Sequence, residues 1–314
     1  MIDKLIGNTP CIKIKYKYKN KIDYIYVKLE YYNLTGSIKD RIALYIIEKN
    51  IKNGKLKQGM PIVEATSGNT GIALSAIGAY YNHPVYIFMP NWVSEERIKI
   101  MEMYGAKVFL VSKEEGGFIE AVRRANKLAS EINGFRFNQF NNMDNIDAHY
   151  FTTGKEIIND VSNIGAFVSG IGTGGTLMGV AKALKEKDNN IKIFAMEPQE
   201  SPLISKGIKL SDHKIEGIGD DFIPNIVNLN YIDEIITISS NDAIAVAQKI
   251  AKELGIGVGI SSGANLLAAI LIKEKIKKNV VTIFVDDNKK YISTDLKKHI
   301  TSSNMLKDIS LISF

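Results

Sequence analysis

From residue 61 onward the chain alternates short apolar runs with stretches of helical periodicity, and this alternation constrains the fold more than any other feature. The runs at 61–65, 84–89, 107–111, 166–169, 191–196 and 280–285 read as strands. The stretches at 69–81, 94–103, 118–132, 175–185, 241–254 and 263–276 read as helices. Strands that are apolar throughout are buried on both faces, and helices between successive strands make them parallel. The pattern predicts an α/β protein of largely parallel sheets covered by helices. Ligands in such sheets sit beyond the carboxyl ends of the strands, so the loops there are where chemistry is expected. At 314 residues the chain is long enough for two lobes, and the Asn- and Gln-rich segment 138–145 is the expected crossing between them.

Composition excludes several classes. The net charge of +6 is spread over lysines along the whole chain and is not gathered in one arm, which argues against a nucleic-acid partner. No apolar run approaches the length of a membrane span, and the residues after Met1 do not read as a signal peptide. Cys11 is the only cysteine, so no intramolecular disulfide can form; a small core residue in a reducing cytoplasm is expected. His83, His149, His213 and His299 are scattered, with none at ligand spacing from another, which predicts structural roles and no metal site.

Four stretches carry candidate chemistry. In Asn33-Leu34-Thr35-Gly36-Ser37-Ile38-Lys39-Asp40-Arg41 a lysine stands at the start of a helix after a β-rich run at 24–30. The positive field of a helix start disfavours the ammonium, as a Schiff-base lysine requires. Taken alone, the segment favours a solvated lysine on an amphipathic helix over this role. In Glu64-Ala65-Thr66-Ser67-Gly68-Asn69-Thr70-Gly71, hydroxyls and free N–H groups gather at a helix start in a loop suited to a carboxylate or phosphate. Ser169-Gly170-Ile171-Gly172-Thr173-Gly174-Gly175-Thr176 reads as a phosphate cradle. Its Gly170, Gly172 and Gly175 satisfy G-x-G-x-x-G, and Glu197 ends the next strand, so a nicotinamide dehydrogenase is the rival class. In Gly259-Ile260-Ser261-Ser262-Gly263-Ala264 a neutral hydroxyl could face a ring nitrogen or merely cap a helix.

Together these motifs resemble the fold-type-II pyridoxal-phosphate enzymes, in particular the cysteine synthase (O-acetylserine sulfhydrylase) and cystathionine β-synthase family. Ile6-Gly7-Asn8-Thr9-Pro10, Gln139-Phe140-Asn141-Asn142, Thr152-Thr153-Gly154, Gly217-Ile218-Gly219 and Tyr291-Ile292-Ser293-Thr294 extend the resemblance along nearly the whole chain. It disfavours the dehydrogenase, which requires neither the lysine segment nor the Thr66 to Thr70 loop. The resemblance implies two α/β lobes of the tryptophan synthase β type. Residues 36–145 would form the amino-terminal lobe with a part that closes on substrate, and 1–35 with 146–314 the lobe carrying the phosphate site. Lys39 would hold pyridoxal 5'-phosphate and move the α-proton. Asn69 would touch the cofactor's 3-hydroxyl; Gly172, Thr173, Gly174, Gly175 and Thr176 would bind its phosphate; Ser261 would face its ring nitrogen. Thr66, Ser67, Gly68, Thr70 and Gln139 would grip the substrate carboxylate. A cytoplasmic homodimer is implied, and with the chain ending at Phe314 neither a carboxy-terminal regulatory module nor a haem-bearing extension is expected.

The implied reaction is β-replacement on a small L-amino acid through an aminoacrylate, with O-acetyl-L-serine or a related donor and sulfide or a thiol as nucleophile. Serine or threonine dehydration is a further reading, less favoured by the Gln139 and Ser261 motifs. Two departures from the family pattern stand out. Leu34 replaces a proline, which changes loop stiffness. Asp220 and Asp221 in Gly219-Asp220-Asp221-Phe222-Ile223-Pro224 stand where the family has small residues beside the reacting carbon. Either they cap a turn in solvent, or one acts as a base toward water or a thiol. The second option makes L-cysteine a donor, with hydrogen sulfide released and water or a second thiol added.

Overall fold

The apolar runs pair into two separate sheets in the computed structural model, which describes residues 2–314. Strand β1 (Cys11–Tyr18) turns at Lys19 and Asn20 into β2 (Lys21–Leu29). Both turn residues have positive φ, +47° and +63°, as a two-residue hairpin turn that matches strand twist demands. Helix α1 (Lys39–Lys52) follows, then β3 (Ile62–Ala65), α2 (Asn69–Tyr80), β4 (Val85–Pro90), α3 (Glu95–Met103), β5 (Lys107–Val111), α4 (Gly117–Glu131) and a two-residue β6 (Phe135–Arg136). Next come α5 (Asp144–His149), a π-helical turn at Tyr150–Gly154, α6 (Lys155–Asp160), β7 (Ile164–Gly170), α7 (Gly175–Lys187), β8 (Lys192–Pro198) and the single-turn α8 (Leu203–Lys206). The chain continues with β9 (Glu234–Ile238), α9 (Ser240–Leu254), α10 (Ile260–Lys273), β10 (Asn279–Phe284) and β11 (Ile309–Ser313).

The small sheet has the order β5-β4-β3-β6 and is parallel throughout. The large sheet has the order β11-β1-β2-β10-β7-β8-β9. It is parallel from β2 to β9, with β1 and β11 added antiparallel at one edge. This is the expected α/β class with two largely parallel sheets. The fully apolar runs lie where burial on both faces requires them: every residue of β3 is buried, as are five of the six in β10. Alternation of another kind was needed for β1, where Lys13, Lys15 and Lys17 interleave Ile14, Tyr16 and Tyr18, so that one face is core and the other solvated. Segment 138–145 is a turn that enters α5, and α10 starts at Ile260, which puts Ser261 inside its first turn. No helix among the described residues is long and apolar enough to cross a membrane.

One buried charge network fixes how α1 meets the large sheet. Arg41 is 2% exposed and Glu30, just after β2, is 0% exposed. The guanidinium donates from Nε to Glu30 Oε2 at 2.6 Å and from Nη2 to Glu30 Oε1 at 2.8 Å. It also donates from Nη1 to Glu156 Oε1 at 2.6 Å, and Lys28 closes the network at 2.9 Å from Glu156 and 2.7 Å from Asp160. Thr9 donates its hydroxyl to Glu30 at 2.7 Å, and Gly7 N–H donates to Asn33 at 2.7 Å, which ties in the segment before β1. Removing one member leaves an uncompensated buried charge. Arg41→Met is therefore expected to lower the unfolding free energy by about 3–5 kcal/mol in urea titration. Burial alone would raise the Glu156 carboxyl, but Arg41 and Lys28 carry it from 4.5 down to about 2. Its stabilising contribution is thus complete above its ordinary range and is lost as pH falls towards 2, and Arg41→Met should flatten that part of the stability–pH curve.

Candidate active site

The cleft lies between the two sheets, where the loops after β3, β7 and β10 converge with the first turn of α1. Lys39 is the first residue of α1, and its backbone N–H donates to Ser37 Oγ at 3.3 Å. Burial in the cleft pushes its amine below the ordinary lysine value, opposed by the carboxylates of Asp286 and Asp220. Helix α1 runs back from this point as an amphipathic rod whose Ile42, Ala43, Ile46 and Ile47 are fully buried. Lys39 is thereby held at a rigid helix start.

The loop after β3 gathers donors of the kind an anion site uses. Gly68 has φ +153°, and any Cβ there would run into the Arg97 side chain, so no other residue fits. Thr66 Oγ1 accepts the Gly68 N–H at 3.0 Å, and Thr70 donates its hydroxyl to Gln139 Oε1 at 2.6 Å. Gln139 is fixed in turn by its amide, which donates to Ala65 O at 2.9 Å. The first N–H groups of α2 have no acceptor within the helix and point the same way. Thr66, Ser67, Thr70 and Gln139 all line the cleft.

The loop after β7 forms the second cradle. The N–H groups of Gly172, Thr173 and Gly174 have no hydrogen-bond partner among the described residues, although Thr173 and Gly174 are buried. Orphaned donors of this kind at a helix start call for an anion. A Cβ at Gly172 would collide with the carbonyl of Gly217, so the backbone approaches too closely for a side chain. Asn145, wholly buried, donates to Thr173 Oγ1 at 3.1 Å and to Gln139 O at 2.9 Å, which couples the two loops. Behind the cradle, His149 Nε2 lies 3.2 Å from Thr176 Oγ1 and Nδ1 2.9 Å from Thr153 Oγ1. Burial, with Lys39 and Arg41 nearby, pushes this imidazole well below its usual value, so it is neutral. Glu197, the acid a dinucleotide site would need, instead accepts the N–H of Ile204 at 2.8 Å and of Ser205 at 3.1 Å and caps α8.

The remaining walls come from the large sheet. Ser261, 3% exposed, presents a hydroxyl that makes no hydrogen bond among the described residues. Asn69 donates to Asp286 at 2.8 Å and accepts from Lys290 at 3.1 Å. Arg97, 1% exposed, lies over the Tyr291 ring at 4.8 Å and 3.1 Å from Glu216. The two adjacent acids separate. Asp220 lines the cleft, where burial and the neighbouring Asp221 push its carboxyl up to about 6, opposed by Lys39. Asp221 lies on the rim, half exposed, paired with Lys209 at 2.7 Å. The structure thus brings Lys39, Thr66, Ser67, Asn69, Thr70, Gln139, the 172–176 loop, Ser261 and Asp220 together, and leaves Asp221 outside.

Asp286, Arg97, Glu216, Asn145 and His149 were absent from the site read from sequence. Asp286 follows the carboxyl end of β10, a position that the strand rule marks as worth inspecting. Asn145 lay in a segment read as a crossing. No group of His, Cys, Asp and Glu among the described residues could hold a metal ion.

The donors fit pyridoxal phosphate: an amine disfavoured as ammonium, orphaned N–H groups for a phosphate, a neutral hydroxyl for a ring nitrogen and a separate carboxylate site. Comparison with known proteins agrees. The family profile described as pyridoxal-phosphate dependent enzyme matches residues 2–286. Cysteine synthase of Staphylococcus aureus is 41% identical over 299 residues, covering 94% of this chain and 96% of that protein. Cysteine synthase B of Campylobacter jejuni is 44% identical over 298 residues, covering 94% and 97%. The solved hydrogen sulfide-producing enzyme of Fusobacterium nucleatum is 47% identical with a TM-score of 0.95, covering 99% of this chain and 95% of that one. An aspartate-to-asparagine variant of that enzyme has been solved with an α-aminoacrylate intermediate, at a TM-score of 0.96. The chain belongs to the pyridoxal-phosphate dependent enzymes, among the relatives of cysteine synthase.

Proposed function

We propose that this enzyme carries out cysteine synthase-type β-replacement on a small L-amino acid, with L-cysteine as donor, hydrogen sulfide as the released group and water or a second thiol as the group added. The observation that carries the choice of donor is Asp220. A carboxylate inside the cleft repels anionic nucleophiles such as hydrosulfide, whereas water or a neutral thiol can give it a proton. With its carboxyl pushed up to about 6, Asp220 is a base suited to work near neutral pH. The hydrogen sulfide-producing relative supports the same direction.

Each residue then has a task. Thr66, Ser67, Gly68, Thr70 and Gln139 hold the substrate carboxylate, so that the Cα–H bond is presented in one orientation. Gly172, Thr173, Gly174, Gly175 and Thr176 hold the cofactor phosphate, and Ser261 offers its hydroxyl to the ring nitrogen. Bound pyridoxal phosphate supplies the electron sink for the pair left at Cα. Lys39 carries the cofactor and, with its ammonium disfavoured by burial, takes the α-proton. Asp220 takes the proton of the incoming nucleophile near Cβ. Residues 36–145 form the amino-terminal lobe, part of which closes on substrate, and the enzyme works as a cytoplasmic homodimer; the cleft's position between the two sheets supports the closure. A second reading, synthesis of cysteine from O-acetyl-L-serine and sulfide, is favoured by the relatives named cysteine synthase. Serine or threonine dehydration has no such support.

Sulfide release from L-cysteine, measured against cysteine formation from O-acetyl-L-serine and sulfide, separates the two readings; much faster cysteine formation would favour the second. Asp220→Asn is expected to slow steady-state sulfide release at least ~100-fold, the usual contribution of a positioned base, while Asp221→Asn changes it by less than about twofold, as a rim ion pair allows. Because the base form is needed, the wild-type rate should rise as pH passes upward through about 6, and that rise should vanish in Asp220→Asn. For the cofactor site, borohydride should fix pyridoxal phosphate covalently to wild type at Lys39 and leave Lys39→Ala unlabelled, as read from the intact mass. Gly172→Ala should weaken cofactor binding at least about tenfold in an absorbance titration, because a methyl group there meets the Gly217 carbonyl.

A further inference from the structure

Asn69 stands at the start of α2 on the small-sheet side, and both ends of its amide are held from the other side of the cleft. Its Nδ2 donates to Asp286 Oδ2 at 2.8 Å, across 217 residues of sequence. Its Oδ1 accepts from Lys290 Nζ at 3.1 Å, and the same ammonium donates to Gly36 O at 3.0 Å beside the Lys39 turn. A carboxylate only accepts and an ammonium only donates, so this pair admits one orientation of the amide and rejects the flipped one. The second N–H on Nδ2 is left over. Asn69 and Lys39 line the same cleft, so the spare hydrogen is available to an oxygen of whatever Lys39 carries.

Asp286 is built for this. It is 0% exposed, and Tyr291 donates its hydroxyl to the same Oδ2 at 2.8 Å. Its backbone is pinned as well: its carbonyl accepts from Gly259 N at 3.1 Å, and it bridges to Ser37, two residues before Lys39. Its Oδ1 has no hydrogen-bond partner among the described residues, an arrangement too costly for a residue needed only for packing.

We propose that Asp286 and Lys290 are positioning residues that lock the Asn69 amide with its spare N–H towards the ring oxygen of the bound cofactor. The inference rests on the reading that Lys39 carries pyridoxal phosphate with Asn69 beside its 3-oxygen. Through Asn69, the pair sets how much of the bound cofactor has that oxygen deprotonated, and so its colour. A donor aimed at the oxygen favours the deprotonated, visible-absorbing form, and loss of the donor favours the neutral, near-ultraviolet form. Because Asp286 and Asn69 sit on opposite sides of the cleft, the lock forms only when the two sides are in register.

The test uses reconstituted holoenzyme at one pH and compares the ratio of visible to near-ultraviolet absorbance in wild type, Asn69→Ala, Asp286→Ala, Lys290→Met and the double variant Asp286→Ala with Asn69→Ala. Asp286→Ala and Lys290→Met should each lower the ratio about two- to tenfold, the range of one hydrogen bond. The double variant should match Asn69→Ala alone. An unchanged ratio in both single variants overturns the inference, as does a double variant whose loss is the product of the two single losses. Should Asp286→Ala fail to fold by circular dichroism, Lys290→Met with and without Asn69→Ala gives the same comparison. A yellow wild type with unmoved ratios defeats only this inference, whereas a colourless wild type removes the cofactor reading as well.

Discussion

The guanidinium of Arg41, enclosed between Glu30 and Glu156, is the contact on which the placement of Lys39 depends. Helix starts fray because their first N–H groups lack partners, and a lysine at the first helical position would fray with them. Here that turn is clamped two residues downstream by a planar cation bonded at 2.6–2.8 Å to carboxylates from the end of β2 and from α6. Apolar replacements of the whole set can match or exceed the stability of a buried ion pair, so stability is not what such a network supplies best. The rigid fork of arginine sets an angle, and the angle decides where the Lys39 amine arrives.

Once there, the amine is governed by its surroundings more than by its helix. The field of the α1 start acts in the direction that sequence reasoning assigned to it, but burial is the leading cause of the depressed lysine. The distinction matters because a helix field is permanent, while burial depends on the two sheets facing each other across the cleft. Asp286 and Asp220 pull in the opposite direction. Such opposition would suit the acid–base role proposed for Lys39.

Most of the fold was legible because parallel α/β structure writes itself locally. Each of the runs at 61–65, 84–89, 107–111, 166–169, 191–196 and 280–285 overlaps a strand, and the loops after 61–65 and 166–169 are contiguous stretches whose glycines and hydroxyls announce a helix start. What escaped is non-local or short. Strand β6 has two residues, too few for any periodicity, and β11 is recognised only by its pairing with β1, nearly the whole chain away. The site divides the same way. Thr66 to Thr70 and the 172–176 loop could be read one residue after another. Arg97 and Asp286 could not, because what brings them to the cleft is the packing of α3 and the end of β10 against residues distant in sequence.

Asp220 and Asp221 show how finely position decides chemistry. They are neighbours with identical side chains, yet one faces the cleft and the other Lys209 on the rim. Nothing within the motif distinguishes them, since Lys39 and Lys209 are both outside it. They remain coupled, because the charge of Asp221 is one of the causes that raise Asp220. Lys209, 2.7 Å from Asp221 and 3.1 Å from Asp212, offsets part of that charge from the rim. The basicity of the acid in the cleft is therefore set partly by a half-exposed ion pair, whose influence weakens as salt screens it, while desolvation keeps its full effect.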